Sequence, residues 1–338
     1  MVPALAVADA LLAEGAQVSF IGGARAEAQL VPAAGFALHE ISVLGLSRSN
    51  PWQALRALAL AAAAVIRARS LLRQLAPDAV LGAGSYVAGP VGLAALTLRI
   101  PLVLSEADSH LGLTNRLLAP FARRVCLAFP IAGRDGPRYR VTGRPIPPPG
   151  QDREAARLRF GIAADATCVL VFGGSLGARS INLAAVEAFA GAPFQVLHVS
   201  GRRDHAELLS RGLPGDYDLR EYLALGDFND ALAAADLVVA RAGGSVFEIA
   251  AHGLPAILIP YPHAAGDHQS ANARWMSEAG AAVAIPDEEL SGARLGGEVA
   301  ALLSDRHRLA GMAGAARRLA RPNAAREVAE ELLEAARS

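Results

Sequence analysis

Two glycine-rich segments carry the residue types best suited to hold a phosphorylated ligand. In CVLVFGGSLGARSINLAAVEAF an apolar run ends at Gly173 and Gly174, and a helical pattern begins near Ser175 to Ala178. The N-terminus of a helix presents free N–H groups and a partial positive charge, and glycines let a phosphate approach the main chain. That suits a nucleotide diphosphate, although the same residues also make an ordinary tight turn. In RAGGSVFEIAAHGLPAILIP, Gly243, Gly244 and Ser245 open a second helix, and Glu248 falls in its first turn. Two readings stand for Glu248: a carboxylate that complements the helix dipole, or one that accepts the two ribose hydroxyls of a nucleotide.

Other polar groups gather nearby in sequence. The loop YPHAAGDHQSANAR offers His263, Asp267, His268, Gln269 and Asn272, all able to bond sugar hydroxyls. The first three could instead ligate a metal, but no pattern such as H-E-x-x-H accompanies them, and no metal is expected. Asp216 and Asp218 in LPGDYDLRE follow a Pro-Gly turn and read as surface. In the first half, LGAGSYVAGP is another strand followed by glycines, and PLVLSEADSHLGLTN places Glu106, Asp108 and His110 after a strand end. Open α/β sheets take their ligands at such strand ends, while turn chemistry explains any one of these residues singly.

The elements that must position these groups alternate along the chain. Twelve β-rich runs, from QVSFIG to AAVAIPD, are separated by Ala/Leu-rich helical stretches, and several runs are continuously apolar, as buried parallel strands are. The prolines of TGRPIPPPGQDREAAR favour a stiff connection, which divides the chain into domains 1–145 and 150–319. The last helix, Ala324 to Ala336, is expected to pack back on the first domain as part of 320–338. The fold class expected is therefore α/β, two doubly wound Rossmann-like domains facing a cleft. The opening MVPALAVADALLAEG is a helix that meets the strand QVSFIG without a strand of its own before it. Strand and helix alternation puts a strand and a loop, about 15 residues, ahead of Met1.

Composition removes several function classes. The chain of 338 residues carries 32 basic and 32 acidic side chains, so nothing draws it to nucleic acid. Every basic residue is Arg. Cys126 and Cys168 both lie in strand-like runs and read as buried apolar groups in a reducing compartment. Ala57 to Ile66 is apolar but closes within ten residues, and Ala79 to Leu98 is broken by glycines and a proline. Neither supplies the roughly 20 apolar residues that span a bilayer. The N-terminus has no secretory pattern. Ser47 to Leu75 mixes Trp52, Leu55 and Val65 with five arginines, which fits either a helix resting on an anionic membrane or a solvated basic helix.

Taken in order, GGSLGARSIN, RAGGSVFEIAAHGLP, the HQ of GDHQSANA, GAGSYVAGP and GLTNRLL resemble the MurG family over essentially the whole chain. The resemblance implies a GT-B fold and an inverting transferase, a hexosyltransferase of peptidoglycan synthesis. It implies transfer of N-acetylglucosamine from its UDP donor to an undecaprenyl-linked muramyl-pentapeptide, with no cofactor. It implies a peripheral place on the cytoplasmic face of the cell membrane, with cell-wall and division proteins as partners. A GT-B transferase acting on another lipid acceptor and a non-catalytic UDP-sugar-binding protein are the alternatives.

Residue by residue, the resemblance implies Ser175 on the diphosphate with Gly244 and Ser245 in support, and Glu248 on the ribose. It implies Leu225 and Phe228 by the uracil, Gln269 and His268 on the sugar, and Gly84, Ser85, Tyr86, Gly89 and Asn115 toward the acceptor. Three departures stand out. The family's H-E-Q-N is here Ser105, Glu106, Ala107, Asp108, so Asp108 replaces an Asn by the donor sugar. The family's G-N-P-V-R is here Gly143 to Pro147, which leaves Arg144 to meet the phosphate. The stretch Arg241 to Glu248 is one residue short of the family pattern. The family also begins with a strand and a GGTGGH-type loop, whose histidine is the expected base. A mis-called start codon is the expected cause of its absence here, and Glu106 is the substitute candidate.

Overall fold

The computed structural model describes residues 1–24, 26–41, 51–84, 87–174 and 176–337. The chain forms two units, one of Met1–Pro147 with Arg321–Ser338 and one of Pro148–Ala320. In the first, α1 (Val2–Ala13), β1 (Ser19–Gly22), α2 (Ala26–Ala33) and β2 (Ala37–Glu40) are followed by α3 (Pro51–Leu75), β3 (Val80–Gly82) and α4 (Ala88–Leu98). Then come β4 (Leu102–Glu106), α5 (Leu113–Leu118), β5 (Arg124–Leu127) and β6 (Tyr139–Val141). The second holds α6 (Arg153–Arg159), β7 (Cys168–Phe172), α7 (Arg179–Phe189), β8 (Gln195–Val199), α8 (His205–Leu209) and β9 (Tyr217–Arg220). It continues through α9 (Leu225–Ala234), β10 (Leu237–Ala240), α10 (Val246–Ala251), β11 (Ala256–Leu258), α11 (His268–Glu278) and β12 (Ala282–Ala284). It closes with α12 (Gly292–Ser304) and α13 (Arg306–Leu319), and the last helix, α14 (Ala324–Ala336), returns to the first unit.

All strand pairs are parallel, so each strand is joined to the next by a crossover, and the apolar runs of the sequence are the strands buried on both faces. Both units are thus the α/β class that the alternation predicts. The second sheet has the order β12-β11-β10-β7-β8-β9, in which the chain starts in the middle and winds outward in both directions. Its switch point lies between β7 and β10, and ligands of such sheets bind outside the strand ends there. Val169, Val171, Leu237, Val239 and Ile257 are fully buried between helices on the two faces.

The first unit has a four-stranded sheet, β3-β4-β5-β6, and a separate pair, β1-β2. A cavity of about 500 Å³ opens between β1 and β3, lined among others by Gly22, Gly82 and Leu11. On α3 one face, Ala64, Ala68 and Leu72 at four-residue spacing, is buried, whereas Ile66, Arg67 and Arg73 are exposed. Residues 42–50 lie outside the described residues. Among those described, no helix is long and apolar enough to cross a membrane.

Helix α14 packs on α1 and β4 through Val328, Ala329 and Ala335, in one cluster with Val7, Leu11, Val103 and Cys126. Its Glu331 is only 4% exposed and is held by Arg124 and Arg140, the latter at 2.6 Å. Burial pushes the Glu331 carboxyl up, but the bonds from Arg140 and Arg124 outweigh it and hold the group below its ordinary value. A carboxyl lowered in this way stabilises the fold above its unfolded pKa, and the contribution fades as pH falls through the folded value. Glu331→Ala removes two charge-assisted bonds and is expected to destabilise the docked helix by about 2 kcal/mol. Amide hydrogen exchange across 324–336 should then accelerate at pH 7, and less so at pH 4, where protonation of the unfolded carboxyl has already removed part of the contribution.

Candidate active site

The two glycine segments follow β7 and β10, the strands that flank the switch point, so the fold sets them side by side. The first loop is longer than the sequence pattern suggested. Helix α7 begins at Arg179, because Gly174 and Gly177 take positive φ and Ala178 is extended. Gly177 at φ +80° lies against the carbonyl of Ser200, and a Cβ there would stand 2.0 Å from that oxygen. Gly201 presses back on Gly177 with the same restriction. Neither α7 nor α10 has a side-chain cap at its start, where Ala178 and Ser245 stand. At α10 the amides of Val246 and Phe247 reach back to the carbonyls of Gly243 and Gly244, each at 3.2 Å, so this loop closes on itself as a tight turn. Ser175 itself lies outside the described residues.

Behind the first loop is a buried polar chain that the sequence reading missed. Asn182 donates both amide hydrogens, to the Ser200 carbonyl and to Asp204 Oδ2, each at 2.9 Å. Its Oδ1 therefore accepts Nε2–H of His198 at 3.0 Å, and His198 Nδ1 accepts the Tyr217 hydroxyl at 2.7 Å. Burial lowers His198 to about 3 and pushes the Tyr217 hydroxyl well above its ordinary value, so both stay neutral at physiological pH. Asp204 also receives Arg179, the first residue of α7, at 3.2 Å. Burial raises the Asp204 carboxyl, but the bonds from Arg203, Asn182 and Arg179 prevail and hold it below its ordinary value. The usable sequence signal was Asn182 itself, an amide next to Ile181 on the apolar side of an amphipathic helix.

The second loop is tied from two sides. Arg241 donates to Asp287 Oδ1 at 2.6 Å, to the carbonyls of Ile259 and Pro260 and to Ser180 Oγ at 2.9 Å, and it stacks over Tyr261. Through these bonds Arg241 ties the loop to the start of α7. Asn272 donates to the Ala242 carbonyl at 2.9 Å, and its own buried Oδ1 has no partner among the described residues. Glu248 is half-buried one turn into α10. Phe228 meets Phe172, the last residue of β7, edge-on at 5.0 Å, so an aromatic wall borders the first loop. Leu225 is exposed at the start of α9. His268 and Gln269 open α11, and Gln269 Oε1 accepts the Tyr261 amide at 3.0 Å.

The first unit gathers its own candidates at the ends of β3 and β4. Gly84, Asp108 and Arg144 line the cavity, whereas Ser85 and Tyr86 lie outside the described residues. Gly89 faces Thr114 on α5. Glu106 is buried behind the loop it organises: Oε2 accepts the Gly112 amide at 2.8 Å and Asn115 Nδ2 at 2.9 Å, and Oε1 accepts the Asp108 amide at 3.2 Å. Asn115, 2% exposed, lies inside α5 and also bonds the Ser105 carbonyl, so it holds the loop from within. Asp216 and Asp218 fall at the opposite, amino end of the second sheet, where Asp218 pairs with Arg220. Among the described residues no three acidic, His or Cys groups could hold a metal ion.

Comparison with known proteins resolves the family. The glycosyltransferase family 28 N-terminal domain matches residues 1–127, and the family 28 C-terminal domain matches residues 168–331. The chain belongs to glycosyltransferase family 28. A protein of Moorella thermoacetica, named as UDP-N-acetylglucosamine–N-acetylmuramyl-(pentapeptide) pyrophosphoryl-undecaprenol N-acetylglucosamine transferase, is 41% identical over 99% of this chain and 96% of its own. One of the same name from Rubrobacter xylanophilus is 44% identical over 98% and 99%. The crystal structure of Acinetobacter baumannii MurG superposes with a TM-score of 0.75 at 31% identity, covering 98% of this chain and 95% of that one. The family pattern thus spans both units, including both glycine loops.

The buried histidine gives this site a pH signature. A His lowered on folding leaves the unfolded state with the extra proton, so stability rises with pH through that window and is lost as pH falls below about 6.5. The loss is expected to approach about 1.4 kcal/mol per pH unit between pH 6 and pH 4. Denaturant unfolding of the wild type and of His198→Gln checks it, because the variant should lack this share of the acid-side slope.

Proposed function

We propose that this family 28 chain is an inverting hexosyltransferase that moves N-acetylglucosamine from UDP-N-acetylglucosamine to an undecaprenyl-linked muramyl-pentapeptide in peptidoglycan synthesis. One observation carries the reading. Two uncapped helices begin at the switch point of the second sheet, in a chain 41% and 44% identical to relatives named for that transfer. We assign the donor to the second unit and the lipid-linked acceptor to the first. The diphosphate lies on the main chain from Gly174 to Arg179 and on the start of α10, with Ser175, Gly244 and Ser245 beside it. Glu248 takes the ribose hydroxyls, Leu225 and Phe228 border the uracil, and His268 and Gln269 meet the sugar.

In this reading the acceptor hydroxyl attacks the anomeric carbon on the face opposite the diphosphate, and UDP leaves. Charge that grows on the leaving diphosphate is met by the dipoles of the two helix starts and the loops that lead into them, already in place before reaction. Arg241 contributes by fixing those groups relative to one another. Gly84, Gly89 and Asn115 form the acceptor side. Exposed Ile66, Arg67 and Arg73 on α3 support a peripheral place on an anionic membrane surface.

Calorimetry with UDP-N-acetylglucosamine tests the donor site. Glu248→Ala and Gln269→Ala are each expected to weaken binding by about 1 to 3 kcal/mol, the loss from unpairing polar contacts. Unchanged affinity in both would sink the assignment. Turnover is read as UDP release with a short-chain lipid acceptor, and release that occurs equally without acceptor would contradict transfer. Co-sedimentation with anionic vesicles should be present at low salt and lost at high salt.

A further inference from the structure

A second tie in the second unit reaches the nucleoside side of the site rather than the phosphate side. His252 follows α10 one turn beyond Glu248, and its Nδ1–H donates to the Glu248 carbonyl at 2.8 Å. Its Nε2 accepts the Gly150 amide at 3.1 Å. Two residues earlier in the same segment, the Pro148 carbonyl accepts Nδ2 of Asn229, the neighbour of Phe228 on α9, at 3.1 Å. Gly150 also lies on α9, where an added Cβ would approach Ala233 to 3.2 Å and the Asn229 carbonyl to 3.4 Å. The segment therefore runs as a strap over α9 and α10.

We propose that His252, in its neutral form, is a positioning residue for the nucleotide site: it fastens the Pro148–Gly150 strap to α10 and so fixes the spacing of the helices that carry Phe228 and Glu248. The proposal rests on the reading of the second unit as the donor site. Hydrogen-bond arithmetic makes the tie depend on charge. With Nδ1–H committed to Glu248, Nε2 must be bare to accept from Gly150, and a proton on Nε2 turns it into a second donor. Protonation therefore costs the Gly150 bond. Burial lowers the His252 pKa, only in part offset by backbone bonds, so the tie is intact at neutral pH.

The charged groups around it lie on α6, α9, α10 and α13. On α9, Asp227 and Asp230 pair with Arg159. On α6, Arg153 binds Asp236 and the carbonyls of Ala233 and Ala235. Arg317 of α13 packs beside Gly253, and Glu248 lies on the same helix as the ring.

Three proteins test the proposal: the full-length wild type, His252→Ala, and His252→Gln, whose amide oxygen still accepts from Gly150 but does not titrate. Hydrogen exchange read over 149–153 without ligand should be faster in His252→Ala and near wild type in His252→Gln. UDP affinity at about pH 8 should fall about tenfold in His252→Ala and stay within about twofold in His252→Gln. At about pH 5.5 the wild type should weaken relative to His252→Gln, a comparison in which the titration of UDP and of every other group cancels. Unchanged exchange in His252→Ala would overturn the tie. Faster exchange with unchanged UDP affinity, or wild type and His252→Gln sharing one pH profile, would overturn its positioning role. A wild type that binds no UDP at either pH would overturn the donor-site reading instead.

Discussion

In the second unit two helices begin next to each other without a side-chain cap, at the ends of the strands that flank the switch point. Much of the surrounding structure fixes the two loops that lead into them. Parallel strands bring β7 and β10 into register and end them together, so their loops emerge on one edge. Gly177 and Gly201 allow two stretches of main chain to touch where any side chain would force them apart. Asn182 then holds the Ser200 carbonyl that underlies the contact. Remove the close approach and the loop has no floor.

Polar groups around the loops serve as ties within the protein. Arg241 is the nearest cation by sequence, yet its donors go to Asp287, Ser180 and two carbonyls. An arginine bound in this way acts as a brace for the two loops. Braced loops suit a transfer in which charge grows on a leaving diphosphate, since preorganised dipoles need no rearrangement as charge develops. In the first unit Glu106 is spent in the same manner, with both oxygens accepting from the loop that it organises. Asp108 of that loop lines the cavity.

Much of this was legible from residue order. Continuous apolar runs predict buried parallel strands because a strand covered on both faces has no polar side to show, and the structure has strands at those runs. Glycine pairs at strand ends mark the loops because only there must a backbone turn sharply and stay open to a phosphate. Ordered motifs along the chain carried the family resemblance, which the family 28 matches and relatives more than 40% identical bear out.

What the sequence determined, then, was the set of elements and the loops that end them, because hydrophobic period and turn chemistry are local properties. Which loops stand together, and what holds them, was decided only by the tertiary structure. Strand order is fixed by crossovers between residues far apart in the chain, and β7 meets β10 only once the sheet is wound. Asn182, His198, Tyr217 and Asp204 look unrelated in sequence, since a hydrogen bond reports a distance in space and not a spacing along the chain. His252 and Gly150 are 102 residues apart, and nothing in either one's neighbourhood announces the other. A buried polar group must find a partner wherever folding supplies one, so these ties exist only in the folded protein.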